Sequence, residues 1–149
     1  NIIFVEDTNM LIDDIQKANI EAIKARDAEA KGVLSIIISR YKILKTEPGA
    51  SNKEITDGDI LTLIQKVLKE LSDEKEGYIK VNNVERVNFI SKQENVLKTF
   101  LPAQLSEEEI RNEIAKLDDK SLPSIMKHFK TNFAGKVDMS LVSQIARSL

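Results

Sequence analysis

The chain has 149 residues, enough for one ordinary core or two small ones, and its 42% apolar and 31% charged composition is that of a globular protein. No apolar run approaches the length needed to cross a bilayer, and the absence of cysteine removes disulfides, thiolate nucleophiles and the common zinc-finger layouts. A formal charge of −2 gives no global attraction to phosphate, so any contact with nucleic acid must come from local clusters of Lys and Arg.

The chain opens on Asn1 and not on Met, as expected of a fragment, a processed chain or one with tag residues, and a removed leader is compatible with that start, so residues 1–7 carry no weight for the fold. From Thr8, a plausible cap, apolar residues at Leu11, Ile15, Ala18, Ala22 and Ala25 have the spacing of a helix with one buried face. Residues 28–44 place Val33, Ile37, Tyr41 and Leu44 on one stripe with Leu34 and Ile38 beside it. The Ser-Ile-Ile-Ile-Ser centre of this segment also resembles a buried strand, but its length favours a helix. Pro48-Gly49 and the polar run Ser51-Asn52-Lys53-Glu54 predict a surface loop over 46–56. Thr56 and Asp59 resemble a capping pair, and Ile60, Ile64, Val67 or Leu68, and Leu71 give the third helix its apolar face. Gly77 weakens that helix locally and Asn82-Asn83 ends it. A fourth helix is predicted over 84–100, with Val84, Val87, Ile90, Leu97 and Leu101 directed inward.

Pro102 then closes that helix, because proline lacks an amide donor and biases Leu101 away from helical angles. Four residues on, Ser106 and Glu109 can cap each other's free amides, with Leu105 placed to pack on Ile110, and Glu107, Glu108 and Glu109 suit the positive end of a helix dipole. Three short helices follow, over 106–117, 123–133 and 138–148. Gly135 separates the last two; Asp138 caps the third, whose Leu141, Val142, Ile145 and Leu149 face inward. None of the three can bury a face alone, so they should form a subdomain together.

The charges divide unevenly. From Ser121 onward the chain carries Lys127, Lys130, Lys136 and Arg147 against Asp138 alone, an asymmetry that points to phosphate. Lys127 and Lys130 are neighbours on a helix surface, and Lys136 lies in a glycine turn where backbone can approach a ligand closely. A second set, Lys17, Lys24, Arg26 and Lys31, is interleaved with Asp27 and Glu29, and local ion pairing accounts for it. His128 is the only histidine, which excludes a two-histidine metal site and suits a helical surface contact, to RNA or to a neighbouring helix. Asp73-Glu74-Lys75-Glu76 and Asp118-Asp119 read as solvated helix ends, because adjacent helical positions diverge and do not converge on one ion.

Four segments together resemble the GatB/YqeY family, the stand-alone YqeY proteins and the tail domain of the B subunit of glutamine-dependent aminoacyl-tRNA amidotransferases. They are Lys24-Ala25-Arg26-Asp27; Leu101-Pro102 through Gln104-Leu105-Ser106-Glu107-Glu108-Glu109; Ile125-Met126-Lys127; and Gly135-Lys136-Val137-Asp138 followed by Leu141-Val142-Ser143-Gln144-Ile145. The chain departs from the pattern at Lys31 and Ser35, at Leu71-Ser72 and at Pro123, and the basic residues lost there move the RNA expectation toward the C-terminal end. The resemblance implies an all-helical N-terminal region, a three-helix C-terminal domain, contact with tRNA, and carbon-nitrogen ligase activity with glutamine as amido-N-donor by family association only. The hardware for that reaction is missing from the sequence: no cysteine nucleophile, no Ser-Ser-Lys amidase segment and no glycine-rich phosphate loop.

These readings predict an all-α protein, with an N-terminal antiparallel helical bundle over 8–101 and a small three-helix domain over 105–149. The function expected is that of a non-catalytic, tRNA-associated accessory module of the cytoplasm, or of an organelle matrix, with no cofactor, metal or membrane partner. Its RNA-binding residues would be Lys127, Lys130, Lys136, Arg147 and His128, with Lys24 and Arg26 in the N-terminal half. The alternative is a helical protein-protein interaction adaptor.

Overall fold

A computed structural model describes residues 10–47 and 54–149. Every regular element among them is helical: α1 (Leu11–Ala25), α2 (Ala28–Thr46), α3 (Asp57–Lys80), α4 (Val84–Lys98), α5 (Glu107–Ala115), α6 (Leu122–Asn132) and α7 (Met139–Arg147). The chain is all-α, and the ambiguous isoleucine run lies in α2 as a helix. Two compact units divide at Phe100 and Leu101. No helix among the described residues is long and apolar enough to cross a membrane.

In the first unit α1 packs on α2, α2 on α3 and α4, and α3 on α4. The core between them is aliphatic, with Ile15, Val33, Leu34, Ile37, Ile60, Ile64, Ile90 and Leu97 essentially without solvent contact. Thr8 and residues 48–53 of the anticipated loop lie outside the described residues. The first amide of α1 instead donates to Asp57 Oδ1 on α3, at 2.9 Å. Thr56 and Asp59 form the anticipated reciprocal cap of α3. That helix runs unbroken through Gly77, and Asn82, at φ 56°, and Asn83, whose side chain caps α4, make the turn that follows.

The apolar reading of α4 needs correction. Val84 is 66% exposed at the first position of the helix, directly after the α3–α4 turn. The inner face takes Gln93 and Glu94 between Ile90 and Leu97, each 8% exposed. Burying such groups requires partners. Gln93 Nε2 donates to the Glu29 carbonyl at 3.2 Å, and Glu94 accepts from Lys75 Nζ at 2.6 Å, tying α4 to α2 and to α3. Ala25 and Leu149, both expected inward, are exposed as well.

The second unit closes α5, α6 and α7 around Ile110, Ile114, Ile125, Phe129, Val137, Val142 and Ile145, with Leu105 packed against that cluster. Ser106 and Glu109 form the reciprocal cap of α5, and Asp138 Oδ1 accepts from the Ser140 amide to start α7. Between α6 and α7, Gly135 sits buried at φ 78°, a conformation that a side chain would strain.

Candidate nucleic-acid interface

Helix α6 has no acidic residue, and its register sorts its side chains by role. Ile125 and Phe129 point into the core, which turns Lys127 to the far side, with Lys130 on the next exposed position. Lys136 is held more firmly at its backbone. Its carbonyl accepts from the Leu105 amide at 2.8 Å, and its own amide donates to the Phe133 carbonyl at 2.9 Å. Gln104 completes the clamp by donating through Nε2 to the carbonyls of Pro102 and Gly135, both at 2.8 Å. In the sequence only the place of Gln104 between a proline and a cap hints at this role. The Lys136 side chain stays exposed on this fixed turn. Arg147 is the last residue of α7, about 13 Å along the helix axis from that turn.

The second unit carries seven acidic and seven basic residues, but their arrangement is unequal. On α5, Arg111 is paired with Glu107 at 3.0 Å, and next to the helix Lys116 is paired with Glu113 at 3.0 Å. Lys127, Lys130, Lys136 and Arg147 have no carboxylate within ion-pair distance among the described residues. The acidic surplus lies on α5 and the loop after it, and the unpaired positive charge on α6, α7 and their turn.

His128 is turned inward, not toward solvent. Nε2 lies 3.3 Å from Glu113 Oε1 on α5, and Nδ1 lies 3.1 Å from Asn132 Nδ2. The ring also stands edge-on to Phe129 and Phe133. The hydrogen bond from Lys116, and after it the one from His128, hold the Glu113 carboxyl below its ordinary value. His128 thus links α5 to α6 with both ring nitrogens engaged.

The basic set around the first helix junction departs from the local ion pairing anticipated. Asp27 Oδ1 accepts from the Ala30 amide at 3.1 Å as the cap of α2, and Glu29 is held by Lys92 of α4 at 3.5 Å. Only Lys24 finds a local acid, Glu21, at 3.9 Å, with both side chains more than 70% exposed. Lys17, Arg26 and Lys31 are exposed and without ion pairs among the described residues. The acidic runs are similarly occupied. Asp73 faces Lys69, Lys75 turns to Glu94, and Asp119 accepts from the Ser121 amide. No group of three His, Asp or Glu side chains able to hold a metal ion occurs among the described residues.

Comparison with protein-family models matches residues 12–149 to the family described as Yqey-like protein. A search of curated proteins gives no significant match.

Proposed function

The chain belongs to the YqeY-like protein family, and from that premise we propose that it is a non-catalytic accessory module that docks a tRNA-like RNA through backbone phosphates on the α6–α7 side of its second unit. The observation that carries the reading is the set of four cations, Lys127, Lys130, Lys136 and Arg147, exposed and without carboxylate partners among the described residues, on a unit whose remaining basic side chains are bonded. Lysine and arginine side chains that contact the backbone bind phosphates by charge and position and do not read bases, so recognition would follow the shape of the RNA. The acidic α5 would keep the backbone off that helix and orient the docking.

Titration of purified chain with tRNA at increasing salt tests this. Four phosphate contacts predict a slope of log affinity against log salt of about −3, and removing two of them, Lys127→Ala with Lys136→Ala, should flatten it by about 1.5. Salt-independent binding, or an unchanged slope in the double variant, refutes the reading.

A protein-interaction adaptor is the second reading, and one observation favours it. The α3–α4 turn exposes Ile79, Val81 and Val84 at 53%, 70% and 66%, beside an Arg86 guanidinium lying over the rings of Tyr78 and Phe89. Loss of a stoichiometric protein partner on Val81→Lys, with no RNA in the complex, would favour this class.

A further inference from the structure

Three described residues occupy the left-handed backbone region: Arg26 and Asn82 at φ 56°, and Gly135 at φ 78°. Glycine has no Cβ to clash there, and asparagine tolerates the conformation through local hydrogen bonding. Arginine has neither advantage. The turn at Arg26 is nevertheless well formed: the Asp27 amide donates to the Ala22 carbonyl at 2.9 Å and the Arg26 amide to the Ile23 carbonyl at 3.2 Å. Such a closure of a helix end favours glycine at the position Arg26 holds.

The backbone at this position favours glycine, and no polar partner of the Arg26 side chain among the described residues offsets that cost. Arg26 is exposed and makes no ion pair, side-chain hydrogen bond or ring contact among the described residues. The nearest acids in sequence are occupied, Asp27 by the Ala30 amide and Glu29 by Lys92. Lys24 and Lys31, both exposed, add positive charge to the same junction.

On the RNA-docking reading above, we infer that the Arg26 guanidinium is the phosphate-binding group of a second RNA contact, carried by the first unit. A guanidinium presents paired N–H donors that match two oxygens of one phosphate, and the rigid turn holds its Cα in place before the ligand arrives. Lys24 and Lys31 contribute field and not geometry. The contact is independent of the α6–α7 cations in sequence and in the unit that carries it.

Arg26→Gly separates this role from a structural one, because it relieves the backbone while deleting the guanidinium. The variant should melt about 2–4 °C above the parent chain. Its tRNA affinity should fall, with the salt slope shallower by about 1. Arg26→Lys, which keeps the Cβ and the charge but loses the paired donors, should fall between the two in affinity and melt like the parent. Unchanged affinity and slope in Arg26→Gly, while Lys127→Ala with Lys136→Ala still weakens binding, overturns this inference and leaves the α6–α7 reading standing. An Arg26→Gly variant that melts below the parent also overturns it, since the arginine would then be supporting the fold. A parent chain that binds no tRNA removes both.

Discussion

Phe129→Ala tests whether α5–α7 hold a core of their own. Phe129 has no solvent contact and belongs to the cluster of Ile110, Ile114, Ile125, Val137, Val142 and Ile145. Truncating a buried phenylalanine costs about 3–5 kcal/mol, from lost transfer energy and the cavity left behind. The 49 residues of this unit have a stability on the order of 2.5–7 kcal/mol at 0.05–0.15 kcal/mol per residue, and small units fall toward the low end. The substitution therefore removes most of what holds the unit closed. Hydrogen exchange on the full chain reads this directly: amides of α5, α6 and α7 should lose about a hundredfold or more in protection, at about 1.4 kcal/mol per tenfold. Amides of α1–α4 should keep theirs, because their core residues are Ile15, Val33, Ile37, Ile60, Ile64, Ile90 and Leu97. Phe129→Leu, costing about 1–2 kcal/mol, should leave both sets protected. Undiminished protection over α5–α7 in the alanine variant, or an equal loss over both units, would refute the reasoning.

Three further outcomes follow from local geometry. Gly77→Ala should raise stability by about 0.5–1 kcal/mol in urea unfolding, because a Cβ there meets nothing within 4 Å and alanine is the better helix former. Ser106→Ala should cost about 1 kcal/mol in the same assay, since it removes one half of the reciprocal cap on α5. The Arg40 guanidinium, through paired bonds of 3.1 and 2.6 Å, holds the Glu70 carboxyl below its ordinary value of 4.5. A depressed carboxyl contributes stability that is present above the ordinary value and is lost as pH falls through the folded one. Glu70→Gln should therefore be less stable than the parent at pH 7, by at most about 1 kcal/mol because the pair is partly solvated, and the difference should close below the ordinary carboxylate range. A gap that persists at low pH would show that the pair is not its cause.

The helices were legible because period and caps agree: Thr56 with Asp59, Ser106 with Glu109, and Asp138 each name a start that the apolar spacing also demands. The inner face of α4 was not, because Gln93 and Glu94 are polar by type and are buried only through a carbonyl of α2 and a lysine of α3. Exposed aliphatics at helix ends misled in the opposite direction. Val84 and Leu149 continue a helical stripe in the sequence, yet they lie at the first position of α4 and past the last residue of α7, where both are exposed. For the candidate site, the cationic surplus after Ser121 could be counted in the sequence, but which charges were already spoken for could not. Pairing between helices depends on their packing register, so Glu29 with Lys92, and the inward turn of His128 onto Glu113, required coordinates.

That distinction decides how substitutions at the proposed contacts should be interpreted. Lys75 joins α3 to a nearly buried Glu94, so its removal strands a carboxylate and acts on folding. Lys92 and Arg40 likewise span helices, to Glu29 and Glu70, and Lys116 supports the Glu113 that receives His128. Lys127, Lys130, Lys136 and Arg147 have no such engagement, and exposed substitutions away from special features usually change stability by less than about 0.5 kcal/mol. Loss of a partner on their removal cannot then be assigned to unfolding, whereas the same loss in Lys75→Ala can. Among the described residues folding has left these cations uncommitted, and uncommitted positive charge on a chain of net −2 is the kind that a polyanion can use without competing against the fold.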